Sequence, residues 1–295
     1  MADNTFQYVT RTECPICSGR ELSDLYAAPF SDSPVFEFLS DFYHGRLSRS
    51  FLGEGRYVIC HCRPCDFYFQ REVLNDEGMF LLYEEIISKE ESLAKREGAQ
   101  AHYFDSLLRN ADYVRELTPN IRPREIRVMD FGMGWGHWAV AAKAKGFSVC
   151  GAELSPSRIS FAQRSGIEVV DVDALPDSSI DFVHTDQVFE HVPDPLSLMT
   201  TLRRLLKPGG VLQFFVPGTE GLKRKISQGL RPQKDEVHPL EHVNAYTPTS
   251  IRRLAERTGF GLVTRRDWRS IRAQARWALT GQKRLKEGRA YLRRL

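Results

Sequence analysis

The stretch Ile126-Arg-Val-Met-Asp-Phe-Gly-Met-Gly-Trp-Gly136 decides the fold of this chain. It reads as a buried strand that runs into a glycine-rich turn, and a helical pattern follows from about His137 to Lys145. Glycines have no Cβ atom, so a ligand can approach their backbone, and the start of the next helix offers free N–H groups. The dinucleotide fingerprint G-x-G-x-x-G requires glycine at position 137, where this chain has histidine. The spacing indicates a ligand-binding turn and disfavours a dehydrogenase.

Strand patterns alternate with helical patterns after this turn. The strands are predicted at residues 148–153, 168–170, 180–184 and 211–216. This alternation predicts an α/β fold with a doubly wound, mostly parallel sheet whose faces are covered by helices. The second strand ends at Glu153, 21 residues after Gly132, where a carboxylate can accept both hydroxyls of a ribose.

Cysteines concentrate near the start of the chain. Cys14 and Cys17 form one C-x-x-C pair, Cys62 and Cys65 form another, and 44 residues separate Cys17 from Cys62. Two such pairs predict a tetrahedral four-cysteine zinc site, which is structural because it leaves no open coordination position. Cys60 is an alternative ligand, although a strand residue that points toward the site without binding is favoured.

Residues 126–218 resemble the class I S-adenosylmethionine-dependent methyltransferases, which have a Rossmann-like fold. The resemblance rests on five segments in the family's order: Asp130-x-Gly132-x-Gly134-x-Gly136, Glu153, Asp171-Val172, Phe189-Glu-His191 and Leu206-Lys-Pro-Gly-Gly210. It implies that S-adenosyl-L-methionine is the cofactor and that the chain is an enzyme.

The resemblance also implies roles in cofactor binding. The backbone of Gly132 and Gly134 would meet the methionine and ribose portions, Gly136 would belong to the same cofactor-binding turn, and Asp130 would fix the amino group. Glu153 would hold the ribose hydroxyls, while Asp171 and the Val172 N–H would contact adenine. Asp173 is a second candidate for the adenine contact, and Asp186 is assigned to the same cofactor pocket.

The cysteine pairs and a following aromatic-rich helical stretch widen the resemblance to bacterial methyltransferases of sugar and secondary-metabolite pathways. Among these are zinc-containing deoxysugar C-methyltransferases, which usually carry a further C-terminal domain, whereas this sequence ends at residue 295. We expect a small-molecule acceptor, such as a nucleotide-linked sugar or natural product, methylated on oxygen, nitrogen or carbon.

A hydroxyl acceptor requires a base, and histidine is the first candidate because it titrates near neutral pH. His242 and His191 are predicted as catalytic residues, together with Tyr246. For His191 the alternative is a hydrogen-bonding residue that orders its loop. Glu241, Asp186 and Glu190 are weaker candidates.

Charge divides the chain into three parts. Residues 1–125 hold 14 basic and 21 acidic residues, 126–268 hold 18 and 16, and 269–295 hold 9 and 1. The acidic front disfavours a nucleic-acid zinc finger. The basic end leaves an RNA methyltransferase as the main alternative, and a non-catalytic, zinc-stabilised binding module as a second one.

We predict four segments: a zinc-binding module (1–70), a helical linker or cap (71–119), a cofactor-binding domain (120–268) and a basic tail (269–295). Residues 289–295 fit the last strand of the sheet or a helix equally well. The sequence contains no apolar run of about 20 residues that could span a bilayer, and its N-terminus does not resemble a secretory signal. A cytoplasmic protein without membrane partners is expected, and the oligomeric state stays open.

Overall fold

The computed structural model describes residues 5–97, 101–118 and 120–295. Its strands are β1 Tyr8–Thr10, β2 Leu22–Pro29, β3 Arg56–Cys62, β4 Phe67–Gln70, β5 Glu72–Leu74, β6 Arg127–Phe131, β7 Ser148–Ala152, β8 Glu168–Val169, β9 Ile180–Asp186, β10 Leu206–Phe215, β11 Asn244–Ala245, β12 Phe260–Leu262 and β13 Arg289–Arg294. Its α-helices are α1 Val35–Phe42, α2 Arg49–Leu52, α3 Asp76–Leu81, α4 Lys89–Glu97, α5 Ala101–Leu117, α6 His137–Ala144, α7 Pro156–Arg164, α8 Pro195–Leu205, α9 Leu222–Ser227, α10 Pro248–Arg257 and α11 Ile271–Lys286.

The chain divides into two compact units. Of the described residues, the first contains 5–92, 189–195 and 216–253, and the second contains 93–97, 101–118, 120–188, 196–215 and 254–295. Each unit is therefore built from three separate stretches of sequence.

A seven-stranded sheet forms the centre of the second unit, in the order β12-β13-β10-β9-β6-β7-β8. Strands β10, β9, β6, β7 and β8 run parallel, while β13 pairs antiparallel with both β10 and β12. The prediction of an α/β fold with a mostly parallel sheet is confirmed. The chain moves outward from β6 through β7 to β8 and then returns to β9 on the other side of β6. Ligands of open α/β sheets bind at the carboxyl edge beside such a reversal.

The order of the last strands was open in the sequence and is given by the structure. Residues 289–294 form β13, which lies between β10 and β12. Its consecutive residues Ala290, Tyr291 and Leu292 are all buried, so these apolar side chains stabilise a strand in a segment that is otherwise strongly basic. Helix α11 precedes β13 and carries most of the other basic residues of the predicted tail.

The first unit contains a four-stranded sheet, β11-β4-β3-β2, and a two-stranded sheet, β1-β5. Strands β2 and β3 pair antiparallel over most of their length, which returns the chain from the long excursion after Cys17 to Cys62. Large aromatic side chains, including Phe30, Tyr57 and Tyr68, fill its core. The segment predicted to be helical from residue 71 begins with β5, and its first helix starts at Asp76. Residues 98–100 of that prediction lie outside the described residues.

Among the described residues, no helix is both long enough and apolar enough to cross a membrane.

Candidate functional site

The turn after β6 is shaped by three glycines with left-handed backbone angles. Gly132, Gly134 and Gly136 have φ values of +66°, +55° and +73°, which disfavour side chains other than glycine. A Cβ atom on Gly132 would lie 2.7 Å from a methyl group of Val188, whereas one on Gly134 would meet no atom within 4 Å. The backbone of Gly134 is therefore open to a ligand, while Gly132 is required for close packing inside the second unit.

Glu153 lies directly after β7 and is joined to this turn. Its Oε2 accepts the Gly134 N–H at 2.9 Å, and its Oε1 accepts the N–H groups of Leu154 and Ser155 at 2.9 and 3.0 Å. A carboxylate has about four acceptor sites, so it retains capacity for a ligand's hydroxyls. Leu154 is 95% exposed, and this apolar side chain beside the carboxylate was not singled out from the sequence.

Asp130 is a buried carboxyl group at the carboxyl half of β6. It is 3% exposed, and its Oδ2 accepts the Ala139 N–H of helix α6 at 3.1 Å. Burial raises the pKa of Asp130 to about 8, and the negative charges of Asp186 and Glu153 act in the same direction. A cationic group placed beside Asp130 would favour its ionised form, which fits the predicted contact with an amino group.

A buried histidine supports Asp130 from the neighbouring strand. His184 pairs with Asp130 in the register of β9 and β6, and its Nε2 lies 3.9 Å from Asp130 Oδ1. Its ring stacks on Trp138 with centroids 3.9 Å apart, and Gln213 Nε2 donates to His184 Nδ1 at 2.6 Å. Burial lowers the pKa of His184 to about 3. His184 is neutral, and no local pattern indicates this contact beyond the position of His184 in a strand.

The loop predicted to contact adenine is held by an arginine that the sequence analysis missed. Asp171 accepts the Asp173 N–H at 3.0 Å, and the Val172 carbonyl accepts a hydrogen bond from Arg204 at 2.8 Å. Arg204 also donates to the carbonyl of Leu175 at 2.8 Å. The only signal in the sequence was a basic residue in the last turn of α8. Asp186, the last residue of β9, is exposed.

The four predicted metal ligands come together in the first unit. The sulfur atoms of Cys14, Cys17, Cys62 and Cys65 all lie within 4.8 Å of one another, and the Sγ atoms of Cys17 and Cys62 are 3.6 Å apart. A zinc ion with Zn–S bonds of about 2.3 Å in tetrahedral geometry places its sulfurs about 3.8 Å apart. The arrangement fits a four-cysteine zinc site.

Cys60 does not belong to this cluster. Its Sγ donates to Asp24 Oδ1 at 2.9 Å, and Arg71 donates to the same carboxylate oxygen at 2.5 Å. Burial raises the pKa of Cys60 to about 12. Cys60 is therefore a protonated thiol in a hydrogen-bonded group of its own.

A second cluster in the first unit contains both predicted catalytic histidines. Glu190, His191 and His242 each place one ligand atom within 4.8 Å of the others, and the two imidazole centroids are 4.9 Å apart. His191 Nδ1 lies 2.9 Å from the Glu241 carbonyl oxygen and 3.0 Å from the Tyr83 hydroxyl. His242 Nδ1 hydrogen-bonds to the Asp235 carbonyl oxygen. Burial lowers the pKa of His242 to about 4.

Tyr246, the third predicted catalytic residue, is fully buried, unlike the two partly exposed histidines. It is 1% exposed, and its hydroxyl donates to the Phe189 carbonyl at 3.2 Å. Burial raises the pKa of Tyr246 well above its ordinary value, and the nearby Glu190 acts in the same direction. This geometry makes Tyr246 a support of the Phe189–His191 turn within the first unit.

Tyr83 and Arg11 contact these segments and were not assigned a role from the sequence. Tyr83 lies in a π-helical turn, Leu82–Ile86, and such turns occur frequently at functional sites. Arg11 lies three residues before Cys14 and donates to the carbonyl of Val243, beside His242, at 2.6 Å. Tyr83 contacts His191, and Arg11 contacts Val243, only in the folded chain. No local sequence pattern could therefore predict these two hydrogen bonds.

Comparison with known proteins identifies the family. Residues 97–265, more than half of the chain, match the family described as Methyltransferase domain. The chain belongs to this methyltransferase family, as its motifs predicted.

Curated relatives cover a smaller part of the chain. The ubiquinone biosynthesis O-methyltransferase of Xanthomonas oryzae pv. oryzae is 30% identical over 138 residues, which is 39% of this chain and 58% of that relative. The match therefore spans little more than half the length of the relative.

Solved methyltransferase structures are similar at low identity. One from Archaeoglobus fulgidus has a TM-score of 0.44 and 16% identity, covering 70% of this chain and 98% of its own. An S-adenosylmethionine-bound amino pentose methyltransferase of calicheamicin biosynthesis from Micromonospora echinaspora has a TM-score of 0.35 and 22% identity, covering 44% and 57%.

Proposed function

We propose that this chain transfers a methyl group from S-adenosyl-L-methionine to a small-molecule acceptor. The acceptor class is a hydroxyl, amine or carbon of a sugar or secondary metabolite. The observation that carries the proposal is the Glu153 carboxylate bound to the N–H of Gly134 beside the reversal of strand order. Membership in the methyltransferase family supports it.

When bound, S-adenosyl-L-methionine supplies a methyl group that its sulfonium already activates. The chain's own residues hold the cofactor. Glu153 accepts the ribose hydroxyls, since its two oxygens keep acceptor capacity beyond their backbone contacts. Asp130 accepts a hydrogen bond from the amino group, and Asp171 with the Val172 N–H contacts the adenine edge. The exposed side chain of Leu154 gives the adenine ring an apolar surface to cover.

We assign the proton-accepting role for a hydroxyl or amine acceptor to His242. Because a carbonyl oxygen can only accept, the contact with Asp235 places the hydrogen of His242 on Nδ1. Nε2 is then the basic nitrogen. A positioned general base contributes roughly 10²–10⁴-fold to a rate. His191, with the same assignment of its Nδ1 hydrogen toward Glu241, is the neighbouring group that accepts the proton if His242 does not.

We further propose that the four-cysteine cluster holds one structural zinc ion. Four thiolates complete a tetrahedral coordination sphere, so the ion has no position for substrate. Its contribution is to the folding of the first unit, in which the cysteine pairs flank β2 and β3.

RNA as the acceptor is the second candidate, because helix α11 presents exposed basic side chains. These are Arg272, Arg276, Lys283 and Lys286. Binding through phosphate contacts weakens steeply with salt, whereas recognition of a small acceptor does not. A Michaelis constant that is insensitive to salt between 50 and ~200 mM would support the small-molecule proposal.

The experiment that tests the proposed function is a transfer assay with methyl-labelled S-adenosyl-L-methionine and a panel of nucleotide-linked sugars, phenols, amino sugars and RNA. We expect label in one class of small acceptor, and its loss in Glu153→Ala. Label in RNA alone would replace the first candidate by the second. Cofactor binding without transfer to any acceptor would support the non-catalytic alternative.

A further inference from the structure

A cluster of three side chains in the first unit offers atoms that commonly bind metals. These are a carboxylate oxygen of Glu190 and one imidazole nitrogen each of His191 and His242. One ligand atom of each residue lies within 4.8 Å of the other two. Glu190 is fully buried, at 0% exposure, whereas His191 and His242 are partly exposed. Two imidazoles and one carboxylate are a common protein ligand set for zinc and for other late first-row divalent metals.

Hydrogen bonds fix which nitrogen each histidine offers. The Glu241 carbonyl oxygen lies 2.9 Å from His191 Nδ1, and the Asp235 carbonyl oxygen is bound to His242 Nδ1. Carbonyl oxygens accept and cannot donate, so both Nδ1 atoms carry the hydrogen, and the Tyr83 hydroxyl oxygen, 3.0 Å from His191 Nδ1, is a second acceptor for it. Each ring therefore has its lone pair on Nε2. Histidine ligands of metals are typically held in this way, with the other ring nitrogen donating to a backbone carbonyl.

The cluster thus brings together three groups that donate electron pairs. His191 Nε2 lies 4.0 Å from a carboxylate oxygen of Glu190, and a divalent cation between the carboxylate and the two imidazoles would be attracted by the lone pairs of all three groups. Tetrahedral metal–nitrogen and metal–oxygen bonds of about 2.0–2.2 Å place the ligand atoms about 3.4 Å apart, so the atoms must approach by up to about 1.4 Å from the 4.8 Å within which they lie. Rotation of the partly exposed imidazoles is the motion that closes this distance.

We propose that Glu190, His191 and His242 form a second metal site, which binds one late first-row divalent cation such as Zn²⁺ through Glu190 and the two Nε2 atoms. Three protein ligands leave at least one coordination position for water or another small ligand. This site is separate from the four-cysteine cluster and does not depend on the proposed methyl transfer. Because the ion and a proton would occupy the same Nε2 atom of His242, bound metal would block proton acceptance by that residue.

The test uses the full chain equilibrated with Zn²⁺, its bound zinc measured by elemental mass spectrometry after removal of loose metal. We expect two equivalents in the wild-type chain and one in Glu190→Gln, His191→Ala and His242→Ala. His44→Ala is the matched control, because His44 is an exposed histidine outside the cluster. Its Nε2 lies 3.3 Å from a carboxylate oxygen of the surface residue Glu91. It should keep two equivalents. Circular dichroism and retention of the zinc equivalent held by the four cysteines of the same unit establish that each variant is folded.

Co²⁺ identifies the ligands of the second equivalent. Cobalt bound by the four cysteines has an intense sulfur-to-metal charge-transfer absorption, and cobalt at the second site should add a weaker spectrum without that band. A single zinc equivalent in the folded wild-type chain would overturn the proposal. So would a second equivalent that survives in all three ligand variants. Failure of methyl transfer by the chain with zinc at the four cysteines alone would reject the proposed function and leave the metal site standing.

Discussion

Arg11 donates a hydrogen bond of 2.6 Å to the backbone carbonyl of Val243, the residue that follows His242. The same guanidinium bonds to the carbonyls of Gln70 and Pro193 and to the Asn244 side chain. Burial lowers the pKa of Arg11 to about 9, so it remains a cation at neutral pH. One side chain next to the first cysteine pair therefore fixes the segments that carry His242 and, through Pro193, His191.

Replacing Arg11 by alanine should destabilise the first unit and lower turnover. Each buried carbonyl that loses its donor costs about 1–3 kcal/mol, so we expect a loss of at least about 2 kcal/mol in the free energy of unfolding. The Kd for S-adenosyl-L-methionine should stay unchanged, because the cofactor residues belong to the second unit. Chemical denaturation and calorimetric titration measure these quantities.

Arg20→Ala is the control for this substitution. Arg20 is an exposed arginine on the same module, paired with Glu13 at 2.8 Å, and exposed pairs contribute about 0–1 kcal/mol. If Arg11→Ala were no more destabilising than Arg20→Ala, the supporting role of Arg11 would be wrong.

We expect the chain to lose thermal stability when zinc is removed from the four-cysteine cluster. Cys17→Ser should release the zinc held there and lower the midpoint of thermal unfolding, since structural zinc contributes directly to folding free energy. Cys60→Ala is a matched control in the same unit, because its thiol bonds to Asp24 instead. Metal content that falls in Cys60→Ala and persists in Cys17→Ser would contradict the ligand assignment.

The raised pKa of Asp130 should make the free energy of unfolding depend on pH. Its pKa is raised from 3.8 to about 8 in the folded chain, so the folded state retains a proton that the unfolded state releases between these values. Stability is then greatest at low pH and falls as pH rises from about 4 to 8, by at most about 1.4 kcal/mol for each pH unit.

Asp130→Asn removes this titration and keeps the size of the side chain. Without cofactor, the variant should lose less stability than the wild type between pH 5 and ~8, as measured by urea denaturation at each pH. Parallel stability curves for the two chains would show that Asp130 is already ionised in the folded state.

His242→Ala should lower the rate of transfer to a hydroxyl acceptor at least tenfold, which is within the range for loss of a general base. The Kd for S-adenosyl-L-methionine should not change. His44→Ala, which removes an exposed histidine of the same unit, should have wild-type turnover. Unchanged turnover in His242→Ala would remove this residue from the mechanism.

The sequence predicted the parallel part of the sheet because its strands are apolar runs between helices, and Ile126–Gly136 identified the turn at its centre. It could not place β13, because Arg289–Arg294 has three consecutive apolar residues between basic ones, a pattern that suits either a strand or a helix. Pairing with β10 and β12 decides the outcome, and such pairing depends on distant segments.

The cofactor and zinc residues were also predictable only where a local spacing of residues identifies them. The cysteine pairs and Glu153 follow from spacing, which is a local property of the chain. The second unit's Arg204 and His184 contact their partners only after folding, and neither lies in a recognisable motif. Tyr246 looked like an acid–base candidate because of its position after His242, yet the fold buries its hydroxyl against the Phe189 carbonyl.

The decisive measurement for the proposed cofactor site is the binding of S-adenosyl-L-methionine by isothermal titration calorimetry. It compares the wild-type chain with the Glu153→Ala and Glu168→Ala variants. Glu168 is an exposed glutamate on the neighbouring strand β8 and serves as the control. We predict saturable one-to-one binding by the wild-type and Glu168→Ala chains, and affinity at least tenfold weaker in Glu153→Ala, since two hydrogen bonds to a carboxylate are lost at about 1.5–3 kcal/mol each. Absence of binding by the wild-type chain, or equal affinity in Glu153→Ala, would show that the chain does not hold S-adenosyl-L-methionine through Glu153.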